Sequence, residues 1–152
     1  MSGFEVVKSG IFTLIQDKGR FGLTHLGVTN SGNMDEYASF MAHKLLQNPM
    51  DANVLEILFG NIELKATSNT VIVTTGALCE FFINDEVKQN WKTYKINTGD
   101  VVKIGKILQG QRVYLCVKNG FDIKKEFGSN STTIKEGIGG INGKQLKTTD
   151  FL

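Results

Sequence analysis

The chain has 152 residues, enough for one domain with a sizeable core. Its 17 basic and 15 acidic residues leave a net charge of +2, with no run of basic residues longer than a pair, so it lacks the footprint of a nucleic-acid binder or of a protein drawn to anionic membranes. No stretch approaches the ~20 apolar residues that cross a bilayer, no signal-peptide pattern opens the chain, and Cys79 and Cys116 sit in apolar runs as buried, reduced thiols do. A cytoplasmic protein with a protein or small-molecule partner is expected.

Phe4–Val7 and Thr13–Ile15 read as short strands broken at Ser9-Gly10. The segment QDKGRFGLTHLGVTNSGNMD, residues 16–35, follows with neither a helical nor a strand period. It feeds the only clear helix, predicted over 34–47: Met34, Tyr37, Ala38, Met41 and Leu45 make one apolar stripe, Ser31 or Asn33 can cap its start, and Asn48-Pro49 ends it. Strands are then predicted at Val54–Leu58, Ile62–Ala66, Val71–Thr74, Leu78–Ile83, Trp91–Ile96, Val101–Ile104 and Arg112–Val117. Turn residues separate them at Ser68-Asn69, Asn84-Asp85, Asn97–Asp100 and Gln109-Gly110. Short strands at this spacing with a single helix predict a mainly β fold, a barrel or tightly bent sandwich covered by the helix. From Gly120 the chain turns glycine-rich and irregular, yet Phe121, Ile123, Phe127, Ile134, Ile138, Ile141 and Leu146 ask for burial.

Most motif readings fail on spacing. Between Gly137 and the Gly143-Lys144 pair lie five residues where a phosphate loop has four, and Gln145 stands where that loop needs a hydroxyl. His25 and His43 have no neighbours at a metal-ligand spacing, Ser31 has no candidate His-Asp pair nearby, and Trp91 reads as core. The segment 16–35 carries the strongest signal, because glycines beside Asp17, Arg20 and Ser31 describe a loop folded closely against something. Two readings stand: a binding loop, or a structural loop in which Arg20 pairs internally with Asp17 or Asp35.

The pieces Gly10–Arg20, Gly27-Val28, Ser31–Asp35, Asn48-Pro49, Leu55-Glu56, Thr75–Ala77, Asn97–Asp100, Arg112–Leu115, Gly120–Asp122, Phe127–Thr132 and Thr149–Leu152 resemble, in order, the biotin-dependent carboxyltransferase family. That family is also called allophanate hydrolase subunit 2, KipA-like, or the C-type subunit of 5-oxoprolinase. The resemblance covers nearly the whole chain. It implies a cyclophilin-like β-barrel over 1–152, a single domain corresponding to the first half of the family's usual two-half chain. It also implies a subunit, or half-subunit, of an ATP-dependent amidohydrolase that opens 5-oxoproline to glutamate with A-type and B-type (KipI-like) partners. A carboxyltransferase domain of a urea carboxylase-like system, with biotin arriving on another chain, is the alternative enzyme. A KipA-like regulator that binds a kinase inhibitor is the non-enzymatic one. The expected catalytic residues are Asp17, Arg20 and Asp35, with Gln16, Gly19, Gly22, Gly27, Ser31, Gly32, Met34 and Glu56 around an amide or lactam substrate. No metal is expected, ATP would be bound somewhere in the complex, and self-association is possible through an apolar patch on the tail after Gly120. Two positions depart from the family pattern: Asn130 stands where relatives often have arginine, and Leu78 where an aspartate often follows Thr-Gly-Ala.

Overall fold

The computed structural model describes residues 3–152. The elements run β1 (Phe4–Ser9), β2 (Phe12–Gln16), a 3-10 turn at Thr24–Leu26, α1 (Glu36–Leu46), β3 (Val54–Leu58), β4 (Ile62–Ala66), β5 (Thr70–Ile83), β6 (Glu86–Val87), β7 (Thr93–Ile96) and β8 (Val101–Val117). All strand pairs are antiparallel. The frame is the long ladder of β5 on β8, from Ile72 opposite Val117 to Ile83 opposite Val102. On its other edge β8 carries β4 along Val101–Ile104 and β3 along Arg112–Leu115, and these in turn carry β1 and β2.

The ladder shifts register between Gly76 and Phe81, and there the two long strands bend. Bending brings the inward faces of many strands onto one cluster that includes Phe4, Leu55, Ile57, Leu64, Phe81, Ile104, Val113 and Leu115. The sheet is thus curled and barrel-like, as expected for the mainly β class with one main helix. Strand alternation continues on the outside. Val113, Leu115 and Val117 point inward, whereas Tyr114 and Cys116 lie with Val54 and Val73 beneath Ala38, Ala42 and Leu46 of α1. Burial on both faces explains the unbroken apolar run Val113–Val117, and a fully buried leucine such as Leu46 contributes about 2 kcal/mol.

The helix corrects several expectations. It spans Glu36–Leu46, and Asp35 caps it, its Oδ1 accepting from Ala38 N at 2.9 Å. Ser31 and Asn33 lie too far upstream for that bond. The buried face is Ala38, Ser39, Ala42, His43 and Leu46, while Met34 (68%) and Tyr37 (67%) are exposed. Small residues face the sheet because the outer face of β5 and β8 already holds Tyr114, so close approach, and not side-chain hydrophobicity, selects the stripe.

The strands predicted at Val71–Thr74 and Leu78–Ile83 are one strand, β5, and those at Val101–Ile104 and Arg112–Val117 are one strand, β8. Gly76 and Gly110 mark bends inside strands: both have positive φ, and a Cβ on Gly76 would lie 2.5 Å from Arg112 O. Trp91, expected in the core, has φ 62° and is half-exposed against Tyr37. In the tail, Phe121 and Leu146 are buried as expected, but Phe127 and Ile134 are exposed because they sit in tight turns with nothing layered over them. The tail closes the fold by pairing with the N-terminal strands: Thr132 N donates to Ile15 O, Leu146 N to Thr13 O, and Leu152 and Phe4 exchange bonds.

Candidate functional site

The loop of residues 17–33 is pinched at its neck, where Asn33 N donates to Asp17 O at 3.0 Å and Arg20 N to Asn30 O at 2.8 Å. Gly19 and Gly32 permit this closeness, since a Cβ on Gly19 would meet Ser31 O at 2.6 Å. Beneath the neck lies a buried polar knot with the tail. The Asp17 carboxylate accepts from Gly19 N (2.8 Å), Ser129 Oγ (2.6 Å), Ser131 Oγ (2.6 Å) and Asn130 N (2.6 Å). Arg20, 2% exposed, donates from Nη1 to Thr133 Oγ1 at 2.6 Å and from Nη2 to Ser131 O at 2.5 Å. Gln16 joins them, accepting from Gly32 N and donating to Thr132 O. The partners of Arg20 are therefore tail oxygens; among the described residues it forms no ion pair with Asp17 or Asp35. Neither sequence reading of Arg20 anticipated this.

A second cluster sits where the loop enters α1. Glu56 and Tyr114 are cross-strand neighbours on β3 and β8. Tyr114 Oη donates to Glu56 Oε2 at 2.7 Å and accepts from Asp35 N at 2.7 Å, and Met34 N donates to the same Glu56 oxygen at 2.9 Å. Arg112 Nε approaches Glu56 Oε1 at 3.6 Å. Burial pushes the Tyr114 phenol far above its ordinary value, and the neighbouring carboxylates push the same way, so it stays protonated and donating at neutral pH. With these donors engaged, Glu56 is a bracket for Arg112 and the helix start, and not an available base.

The cluster opens onto a cleft of about 490 Å³ between the helix start and the bend of β5 and β8, lined by Met34, Asp35, Gly76, Ala77, Leu78 and Gln109–Arg112. It offers a partly exposed guanidinium, a carboxylate at the helix cap, and an apolar wall at Leu78, itself 50% exposed. The expected site residues thus divide. Met34 and Asp35 line this cleft, with Glu56 supporting it; Ser31 and Gly32 line a separate cavity formed by the loop and α1; Gln16, Asp17, Gly19 and Arg20 form the buried knot. Gly22 and Gly27 are exposed with open space where a Cβ would stand. Arg112 and Tyr114 escaped the sequence reading as site residues because their value depends on the β3–β8 register; the polar tip of Tyr114 inside an apolar strand was the available signal. Of the departures from the family pattern, Leu78 lines the cleft, whereas Asn130 is buried in the knot and donates to Ile123 O at 2.6 Å.

Residues 26–152 match the family described as carboxyltransferase domain, subdomain A and B. The chain belongs to that family. It is 34% identical over 150 residues to the urea amidolyase of Lachancea kluyveri, covering 98% of this chain and 8% of the relative. It is 32% identical over 148 residues to the C-type subunit of 5-oxoprolinase from Escherichia coli strain K12, covering 97% of this chain and 48% of that relative. Its fold superposes on the crystal structure of the Kluyveromyces lactis urea amidolyase with a TM-score of 0.94 at 34% identity, over 98% of this chain and 9% of that one. The chain therefore spans about half the length of the Escherichia coli relative and under a tenth of these two urea amidolyases. No helix among the described residues is long and apolar enough to cross a membrane.

Proposed function

We propose that this member of the carboxyltransferase-domain family is part of a C-type subunit of an ATP-dependent, 5-oxoprolinase-like amidohydrolase, acting with A-type and B-type partners in the cytoplasm. The observation that carries the reading is the bracketed Arg112 beside Asp35 in the cleft at the helix start, in a chain similar to the C-type subunit of 5-oxoprolinase. A lactam acid presents a carboxylate and a ring N–H. The Arg112 fork is suited to the carboxylate, Asp35 is placed to accept the N–H, and Leu78 and Ala77 offer apolar contact to the ring methylenes. Glu56 and Tyr114 position both polar groups without touching the substrate. Asp17 and Arg20 act through the knot, which fixes the loop that leads into the helix.

ATP would serve this reaction by activating the lactam carbonyl. The glycine-rich tail does not fit it. A Cβ on Gly139, Gly140 or Gly143 would collide with Ser131 O, Thr132 Oγ1 or Gly137, so these glycines serve the chain's own packing and offer no open cradle for phosphates. In this reading ATP is held by a partner chain. The similarity to urea amidolyase favours a second reading, carboxyl transfer to a urea-type amide, with biotin carried on another chain. Reconstitution with A-type and B-type subunits decides between them. Turnover of ATP that depends on 5-oxoproline and falls about tenfold or more in Arg112→Ala supports the first; consumption of carboxybiotin that depends on urea, without lactam-dependent turnover, replaces it with the second.

A further inference from the structure

The apolar stripe that the sequence marks on α1 faces away from the core. Met34, Tyr37, Phe40 and Leu45 are exposed and Met41 is half-buried, while the sheet takes the opposite face through Ala38, Ala42 and Leu46. Residues four apart form rows along a helix, and two such rows run down the outer face: Glu36, Phe40 and Lys44, and beside them Tyr37, Met41 and Leu45. Trp91, half-exposed, extends the second row, its ring centre 6.5 Å from that of Tyr37. Large apolar side chains gathered on one face, with the core already filled beneath them, mark a surface that meets another protein.

The charges on that face select the partner. Glu36 is the one acidic residue of α1 and Lys44 its one lysine, and they stand four residues before and four residues after Phe40 on the same row. A second copy of the helix, laid antiparallel about a two-fold axis at the level of Phe40, therefore sets Glu36 beside the partner's Lys44 and Lys44 beside the partner's Glu36. One patch meets itself, and its four charges make two ion pairs with none opposite its like. Lys44 Nζ lies 5.5 Å from the centre of the Phe40 ring, which keeps its charge along the row. The other charges nearby lie at the edge: Lys18 shares a cavity wall with Glu36 and Phe40, and it has within its field the Asp51 carboxylate, which pairs with Lys125 at 3.1 Å. We propose that the outer face of α1 binds a second copy of this chain in a two-fold dimer, with Phe40 at its centre and a Glu36–Lys44 pair at each end. The proposal is independent of the reading of the cleft, since it needs neither another subunit nor turnover.

Sedimentation velocity of the intact chain, from about 1 µM to about 1 mM, should show a reversible monomer–dimer equilibrium, because one helix face makes a modest interface. Phe40→Asp should weaken the dimer about a hundredfold or more and still melt within a few degrees of the parent, since the ring is exposed in the single chain. Charge reversal tests the geometry itself. Glu36→Lys and Lys44→Glu each set like charges opposite one another and should weaken self-association about tenfold or more. Mixed in equal amounts, the two variants should form a heterodimer as readily as the parent forms its dimer, because every pair is then complementary. The double change Glu36→Lys with Lys44→Glu should likewise regain the parent's affinity. A chain that stays monomeric up to about 1 mM overturns the proposal. So does a dimer that persists in folded Phe40→Asp, which would place the contact on another surface such as the tail. Single reversals whose mixture associates no better than either alone overturn it as well, since the antiparallel pairing is what selects a second copy. If the chain is monomeric alone, yet binds a B-type subunit and loses that binding in Phe40→Asp, the face belongs to that subunit and the proposal fails.

Discussion

Arg20 and Thr133 stand 113 positions apart in the chain and meet at 2.6 Å, guanidinium to hydroxyl, under the neck of the loop. A cation that is 2% exposed and spends two nitrogens on tail oxygens ties the first strands to the last third of the chain. The loop's unusual backbone is needed to reach that contact.

Arg20→Ala should therefore destabilise strongly. It strands Ser131 O and Thr133 Oγ1 and opens a cavity, a loss of about 3 kcal/mol or more. At about 2–4 °C per kcal/mol for a chain of this size, the melting temperature should fall by roughly 6–12 °C. Arg20→Lys keeps a donor and should recover part of the loss. A variant that melts like the parent would show that the knot is dispensable.

Asp17 is the harder residue to replace. Its carboxylate serves donors from Gly19, Ser129, Asn130 and Ser131, and Asp17→Ala leaves these buried donors without their acceptor. The expected loss exceeds that of Arg20→Ala, and chemical denaturation of the two variants side by side checks the order. Asp17→Asn should fall between them, since an amide keeps one acceptor oxygen but presents N–H donors to donors.

These contacts mark how far the sequence could be read. The apolar runs and turn residues placed most strands, because period-two burial is a local signal: Ile62, Leu64 and Ala66 declare their face without help from the rest of the chain. The helix existed in the sequence, but of its predicted stripe Met34, Tyr37, Ala38, Met41 and Leu45 only Ala38 is buried. Tyr37 and Leu45 look like core until the sheet beneath is known to be occupied by Tyr114 and Cys116, whereupon Ala38 and Ala42 are what fits. The resemblance to the family pointed to the loop of residues 16–35, yet it could not separate Asp17 and Arg20, inside, from Asp35, at the cleft. That sorting depends on tail residues more than a hundred positions away. Arg112 and Tyr114 became legible only with the β3–β8 register, which no local pattern contains.

His43 supplies a pH prediction. Burial lowers its folded pKa below 6.5, so between that folded value and 6.5 the unfolded chain binds more protons than the folded one. Stability attributable to His43 is full above about 6.5 and is lost as pH falls through the unfolded value toward the folded one. His43→Gln should remove that slope over the same window. Urea denaturation at pH 7 and at steps below 6 checks it; identical slopes in both proteins would assign the pH dependence to other groups.

The thiols should be inert in the folded protein. Burial pushes the Cys116 thiol up to about 12 and raises that of Cys79, and both side chains are enclosed. Labelling by a thiol-directed disulfide reagent at pH 8 should proceed at the rate of unfolding and accelerate in denaturant. Rapid labelling of the native chain would place at least one thiol in an open conformation.

Arg112 separates support of the fold from action in the cleft. Its ion pair with Glu56 is partly exposed, at 3.6 Å, and such pairs are worth ~0–1 kcal/mol. Removing it does not strand Glu56, because Tyr114 Oη and Met34 N still donate to that carboxylate. Arg112→Ala should thus melt within a few degrees of the parent while lactam-dependent turnover in the reconstituted complex falls about tenfold or more, chiefly through KM if the lost contact is to the substrate carboxylate. Arg112→Lys should lie between, keeping charge without the planar fork. Tyr114→Phe provides the contrast. It removes the hydroxyl that joins Asp35 N to Glu56, should cost about 1–3 kcal/mol of stability, and should lower activity by displacing both cleft groups together. If Arg112→Ala instead melts as far below the parent as Tyr114→Phe, and loses activity only in proportion, then Arg112 is a structural residue and the substrate carboxylate is bound elsewhere.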